Sequence, residues 1–200
     1  MMKNWSTKSK IELCVLLAIE FIVCLTPLGS IPIGPIVATI SMVPVIITTL
    51  VLGLGAGLFM GFAFGLLSFI VWTFMTPNPA MAFLFTPFYS AGQFQGNFFS
   101  LVICFLPRIL IPIFTYCAYM IFKNRLNDKI AMIIASVCGS LTNTIFVLFF
   151  IALFFGAQYE MLIGNSITNI IMATIFINGI PEAIFSAIVC PVISVILNKI

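Results

Sequence analysis

Arg108 and Glu182, with the amides Asn143 and Asn178, stand inside stretches that are otherwise almost wholly apolar. An ionisable group at bilayer depth costs a few kcal/mol on insertion scales, so it faces a bundle interior, a water-filled cavity or a partner. At a rise of about 1.5 Å per residue, Arg108 lies about 15 Å and Glu182 roughly 21 Å from the outer ends of their helices. The chemistry such a group can do is binding. A guanidinium forks onto a carboxylate, amides hold hydroxyl or amide groups, and apolar walls enclose the rest. Thr142 and Thr144 fall in the same layer. The plainer alternative is that Arg108 and Glu182 only pair with each other and lock two helices, although such a pair gains little over apolar packing. Glu20 is a further acid in an apolar stretch, facing either the bundle or a partner subunit.

Other chemistry is excluded by composition. The chain has no histidine, which removes a Ser-His-Asp or Cys-His hydrolase and a histidine-ligated metal. No GxxxxGKS/T occurs, and Gly53-Leu54-Gly55-Ala56-Gly57 lacks the lysine, so ATP hydrolysis is not expected. An intramembrane enzyme would have Glu182 and Glu20 as its acids and no nucleophile beside a base. Cys14, Cys24, Cys104, Cys117, Cys138 and Cys190 form no CxxC and read as small hydrophobes in helices. The net charge of +3 comes without any basic run, so nucleic acid is no partner. No catalytic residue, metal or cofactor is expected.

The elements that must position these residues follow from composition. With 62% hydrophobic and 6% charged residues, against about 25% charged in soluble domains, the chain reads as an all-α membrane protein. Residues 1–200 form a single integral membrane domain, a six-transmembrane-helix bundle with spans at about 8–26, 36–52, 58–76, 98–122, 130–155 and 168–197. The basic stretch before residue 11 belongs to a retained anchor, since no small-x-small cleavage site follows. Gly53 to Gly57 is a tight turn, and Pro27, Gly29, Pro32, Gly34 and Pro35 break the chain into an apolar loop. Six crossings starting inside place Lys3, Lys8, Lys10, Lys123, Arg125, Lys129 and Lys199 on the cytoplasmic side, with both termini there and Arg108 alone within a span.

Two loops, about 27–35 and 77–97, lie on the outer side. The second is uncharged and rich in Phe83, Phe85, Phe88, Tyr89, Phe94 and the amides Asn78, Gln93, Gln95 and Asn97. A long connection this aromatic is functional rather than disordered. Gly53, Gly57, Gly61 and Gly65 recur every four residues and form a strip that lets a second backbone approach closely. That strip serves either packing inside the bundle or docking to a membrane partner. Cys14 and Ala18 repeat the spacing on the first helix, so Cys14, Ala18, Gly57, Gly61 and Gly65 are the candidate docking positions.

Several stretches resemble a known family. Met42-Val43-Pro44-Val45-Ile46-Ile47 through Leu52-Gly53, then Gly57, Gly61, Phe64-Gly65-Leu66 and Ser68-Phe69, are similar to the second and third helices of substrate-binding S components from energy-coupling factor (ECF) vitamin transporters. Phe105-Leu106-Pro107-Arg108-Ile109-Leu110 resembles their fourth helix, Gly139-Ser140-Leu141-Thr142-Asn143-Thr144 their fifth, and Asn178-Gly179-Ile180-Pro181-Glu182-Ala183-Ile184 their sixth. Phe85-Thr86-Pro87-Phe88-Tyr89-Ser90 before Gly96-Asn97-Phe98 looks most like the pantothenate-type members. Leu54 and Gly55 replace the proline and basic residue many members carry after the second helix, and the first helix lacks a clean Ala-xxx-Ala pattern.

The resemblance implies a vitamin-binding subunit with its site on the outer side. It would associate with a transmembrane coupling subunit and two ATP-binding-cassette ATPases in the lipid bilayer, and topple to deliver its cargo. Arg108 would take the carboxylate, Asn143, Asn178 and Glu182 the polar remainder, and Phe85, Phe88 and Tyr89 would seal the lid. The same mixture of groups suits a folate, pyridoxine or hydroxymethylpyrimidine type of vitamin. A membrane assembly protein or a passive channel is the reading from another class, although a pore needs more than one ring of polar residues.

Overall fold

The computed structural model describes residues 6–26, 29, 31–33, 36–92 and 94–199. Lys3, Pro27, Gly34, Pro35 and Gln93 lie outside the described residues. Helix α1, Thr7–Leu25, starts where the Ser6 hydroxyl accepts the Ser9 N–H at 3.1 Å. Strands β1, Ile31–Ile33, and β2, Ile36–Ala38, pair antiparallel with Ile33 opposite Ile36. Helix α2, Met42–Leu52, then meets α3, Leu54–Ile70, through Gly53 alone. Gly53 sits at φ +84°, a conformation that glycine adopts without a Cβ clash. The turn expected over Gly53 to Gly57 is therefore one residue wide.

The stretch expected as a second span, 36–52, is instead a short hairpin strand followed by an eleven-residue helix. Eleven residues reach only about 16 Å, half of a hydrocarbon core of about 30 Å. Ile36, Val37 and their neighbours form an apolar run whose periodicity does not separate strand from helix. Residues Met42 to Leu50 are buried on every side, as a helix that is apolar all round must be. Its two threonines are satisfied locally: the Thr48 and Thr49 hydroxyls donate to the carbonyls of Pro44 and Val45 at 2.7 Å.

Helix α3 runs on as a π turn, Val71–Met75. The connection to the next helix has structure of its own. A 3-10 turn, Pro79–Leu84, is capped by Asn78, and strands β3, Ser90–Ala91, and β4, Phe94–Gln95, pair antiparallel. Helix α4, Phe98–Lys123, opens on a capping box, Asn97 with Ser100, and contains Pro107 and Pro112. Helix α5, Asp128–Ile163, has 36 residues and continues eight residues past its expected end at 155. Helix α6, Ile167–Thr174, a π turn, Ile175–Gly179, and α7, Ile180–Lys199, complete the fold.

Among the described residues, four helical segments are long and apolar enough to cross a membrane: Leu54–Met75, Phe98–Lys123, Asp128–Ile163 and Ile167–Leu197. Helix α1 has 19 residues but carries Lys8, Lys10, Glu12 and Glu20. Two cores share the interior. One, aliphatic, gathers Met42, Val45, Ile46, Met60, Ile111 and Met132, near the basic residues of the α4–α5 turn. There the Tyr119 hydroxyl donates to Asp128 at 2.8 Å and clamps α4 to α5. The other is aromatic, with Trp72, Phe83, Phe85, Phe155 and Tyr159.

The glycine strip belongs to the bundle. A Cβ at Gly61 would stand 2.5 Å from the Arg108 carbonyl oxygen, one at Gly65 would meet Phe105 at 2.8 Å, and one at Gly57 would meet Thr49 and Pro112. Gly57, Gly61 and Gly65 are buried against α2 and α4, which removes them from the candidate partner-docking positions. Cys14 and Ala18 are exposed on α1, on the face of Ile11, Val15 and Ile22, and stay available to a partner.

Candidate solute-binding cavity

Between the two cores lies a cavity to which six stretches of chain contribute. Thr39 enters from the segment before α2, Trp72 from the first π turn and Phe85 from the connection before α4. Arg108 comes from α4, and Asn143, Thr144, Val147 and Leu148 present one face of α5. Thr174, Asn178 and Glu182 follow at four-residue spacing through α6, the second π turn and α7. About 40 Å³ of this cavity is wide enough for the centre of a water molecule, room for a few waters. A larger solute therefore needs side chains such as Phe85 and Trp72 to swing aside.

Two prolines set the arginine. Pro107 has no N–H, so the Ile103 carbonyl loses its helical donor. Arg108 Nη1 takes that carbonyl at 3.0 Å. Pro112 frees the Arg108 carbonyl in the same way, and Gly61 of α3 packs against it. The guanidinium, in a residue only 3% exposed, stands 5.4 Å from the Phe64 ring and 5.6 Å from the Phe85 ring. Such cation–π contacts favour a desolvated cation. Its Nε has no hydrogen-bond partner among the described residues.

Glu182 does not pair with Arg108: among the described residues no ion pair joins them, which removes a helix-locking bridge as the reason for both. The Glu182 carboxylate instead accepts the Thr39 N–H at 2.6 Å and the Thr144 hydroxyl at 3.2 Å, tying the segment before α2 to α5 and α7. Asn143 Nδ2 donates to the Thr39 hydroxyl at 3.5 Å, and its Oδ1 has no partner among the described residues. Cation and carboxylate thus face one cavity with an amide oxygen to spare. Such a set takes a solute bearing both an acid and hydroxyl or amide donors.

Arg108, Asn143, Asn178, Glu182 and Phe85 come together here. Phe88 and Tyr89 do not line the cavity. Phe88 is 77% exposed and lies 6.1 Å from Phe69, and Tyr89 packs against the aromatic core. Of the three rings, Phe85 lines the cavity, stacked on Trp72 at 4.5 Å. Trp72, Thr39 and Thr174 were not expected from the sequence. Trp72 and Asn178 both sit on π turns, features that cluster at functional sites. Glu20 is fully buried, accepting the Cys24 thiol at 3.3 Å.

Against known proteins, the chain matches the family described as ECF transporter, substrate-specific component, over residues 10–194. It is 37% identical over 163 residues to the pantothenic acid transporter PanT of Lactococcus lactis subsp. cremoris (strain MG1363), covering 76% of this chain and 80% of that protein. Its fold is similar to the solved structure of ThiT from Listeria monocytogenes, with a TM-score of 0.60, 16% identity, and coverage of 96% of this chain and 93% of that one.

Proposed function

The chain belongs to the substrate-specific components of ECF transporters, and from that premise we propose that it captures pantothenate for uptake, as the name of its Lactococcus relative indicates for that protein. The observation that carries the assignment of the site is the buried Arg108, held by Ile103 and two rings, with a donor left over. Pantothenate has a carboxylate, an amide and two hydroxyls. Arg108 takes the carboxylate, Asn143, Asn178 and Glu182 receive the amide and hydroxyls, and Phe85 on Trp72 closes over them.

A substrate-binding component of this kind is no enzyme and needs work from elsewhere. In this reading the chain joins a transmembrane coupling subunit and two ATP-binding-cassette ATPases in the cell membrane, crossing it six times, with the short helix α2 and the hairpin before it together making the second crossing. The ends carrying Lys8, Lys10, Lys123, Arg125 and Lys129 face the cytoplasm, as the positive-inside rule requires, and the aromatic end faces out. The exposed face of α1 around Cys14 and Ala18 receives the coupling subunit.

Calorimetry of the purified chain with pantothenate tests the reading. A charge-assisted contact is worth about 1.5 to 3 kcal/mol, so Arg108→Ala weakens binding about tenfold or more. Unchanged binding removes Arg108 from the site. Mass spectrometry of the small molecule that co-purifies from cells in rich medium identifies the solute. Reconstituted alone, the chain binds without flux, whereas flux would make it a channel.

A further inference from the structure

A smaller compartment adjoins the main cavity and shares Thr39, Trp72 and Arg108 with it, its remaining wall including Ser41, Ser68 and Phe64. About 10 Å³ of it accepts a water-sized centre, space for roughly one oxygen atom with its hydrogen bonds. We propose that this compartment seats one oxygen of the solute's carboxylate, with Arg108 and Ser68 as its two donors. The proposal rests on the reading that the solute is an acid bound at Arg108.

The α3 side of the compartment follows from helical spacing. Phe64, Ser68 and Trp72 recur every four residues and line the compartment together. Phe64 supports the guanidinium from below at 5.4 Å, and Trp72 separates the two spaces. Ser68 is 8% exposed, and its hydroxyl makes no hydrogen bond among the described residues. Thr48 and Thr49 on α2 instead turn back to their own helix carbonyls; Ser140, Ser186 and Ser194 share Ser68's lack of a partner among the described residues, but none of them lines this compartment. Ser41 differs: its hydroxyl already donates to the Gly29 carbonyl at 3.3 Å. It offers the compartment lone pairs and no proton.

The electrostatics favour an anion over a cation. Arg108 Nε–H is a second donor without a partner among the described residues. Glu182 belongs to the main cavity and is absent from this lining, and Glu20 stands behind Cys24, whose thiol it accepts. A carboxylate with one oxygen between Ser68 and Arg108 and the other toward the guanidinium in the main cavity has a donor for each oxygen. An alcohol in its place would leave the charged donor unmatched, so the compartment reads the charge of the solute as well as its shape.

The test is calorimetry with pantothenate and with its alcohol analogue, in which CH2OH replaces the carboxylate. Proteins compared are the wild type, Ser68→Ala, Ser68→Thr and Arg108→Ala, each checked for an unchanged thermal midpoint in detergent. Ser68→Ala is expected to weaken pantothenate about tenfold, to leave the alcohol within about twofold, and to be rescued by Ser68→Thr, which keeps the hydroxyl. If Ser68→Ala shifts neither solute, shifts both equally, or matches Ser68→Thr, the seat is overturned while an intact Arg108 effect leaves the acid reading standing. Pantothenate binding that survives Arg108→Ala sinks the acid reading and the seat together.

Discussion

The aromatic end and the basic end of this bundle solve the same packing problem with opposite materials. At the basic end, helices press together through Gly57, Gly61, Ala131 and Ala135, and the fill is mostly Met, Ile, Leu and Val. At the aromatic end, the chain leaves helical form for 3-10 and π turns and short hairpins, and large rings fill the gaps: Phe83 lies 5.7 Å from Phe155 and 5.8 Å from Phe94. Small residues give close, regular backbone contact and little freedom. Rings on irregular backbone give volume on few attachment points. The difference teaches where movement is affordable: the cavity takes Trp72, Phe85 and Val147 of the aromatic core into its lining and no residue of the aliphatic one.

Four substitutions break or sharpen that contrast. Phe83→Ala removes a wholly buried ring on which the connection before α4 rests. It should cost about 3–5 kcal/mol of stability, read as a lowered thermal midpoint in detergent and loss of pantothenate binding. Gly61→Ala drives a methyl against the Arg108 carbonyl, and overpacking of this sort costs about 1–3 kcal/mol. It should lower the thermal midpoint with or without solute, since it strikes the rigid half; a gain in stability would show that α3 and α4 can separate freely.

Trp72→Ala should be milder. Loss of the stack on Phe85 is worth about 0.5–1.5 kcal/mol, which reads as roughly twofold to tenfold weaker binding by calorimetry, mostly through faster release. Equal loss of thermal stability would make Trp72 a core residue only. Ala18→Trp, on the exposed face of α1, is expected to leave pantothenate affinity unchanged while abolishing uptake in cells that supply the coupling subunit and ATPases. Normal uptake by that variant would place the docking face elsewhere.

What could be read from residues alone divides along the same boundary. Arg108, Asn143, Asn178 and Glu182 announce themselves because a charge or amide in an apolar helix is expensive and needs a reason. The regular helices α3 and α4 follow from apolar length, and α4 from its Asn97 cap. The irregular elements do not. Hairpin β1–β2 hides in an apolar run that suits a helix equally, and the π turns that aim Trp72 and Asn178 add a residue to a helix without a sequence mark. Gly156 with Gln158 and Glu160 reads as the end of α5, yet the helix continues because Phe155 and Tyr159 face a core built by distant segments. Phe88 and Tyr89 share their composition with Phe85, and only the backbone decides which ring reaches the cavity.

Pro107 and Pro112 have one more effect. A helix stiffens through its ladder of carbonyl-to-amide rungs, and α4 lacks two of them beside the arginine. Bowing the wall at that point breaks no backbone rung, only the Arg108 side chain's hold on Ile103, so a guest bigger than the resting space can be admitted by flexing a hinge that the chain has already cut.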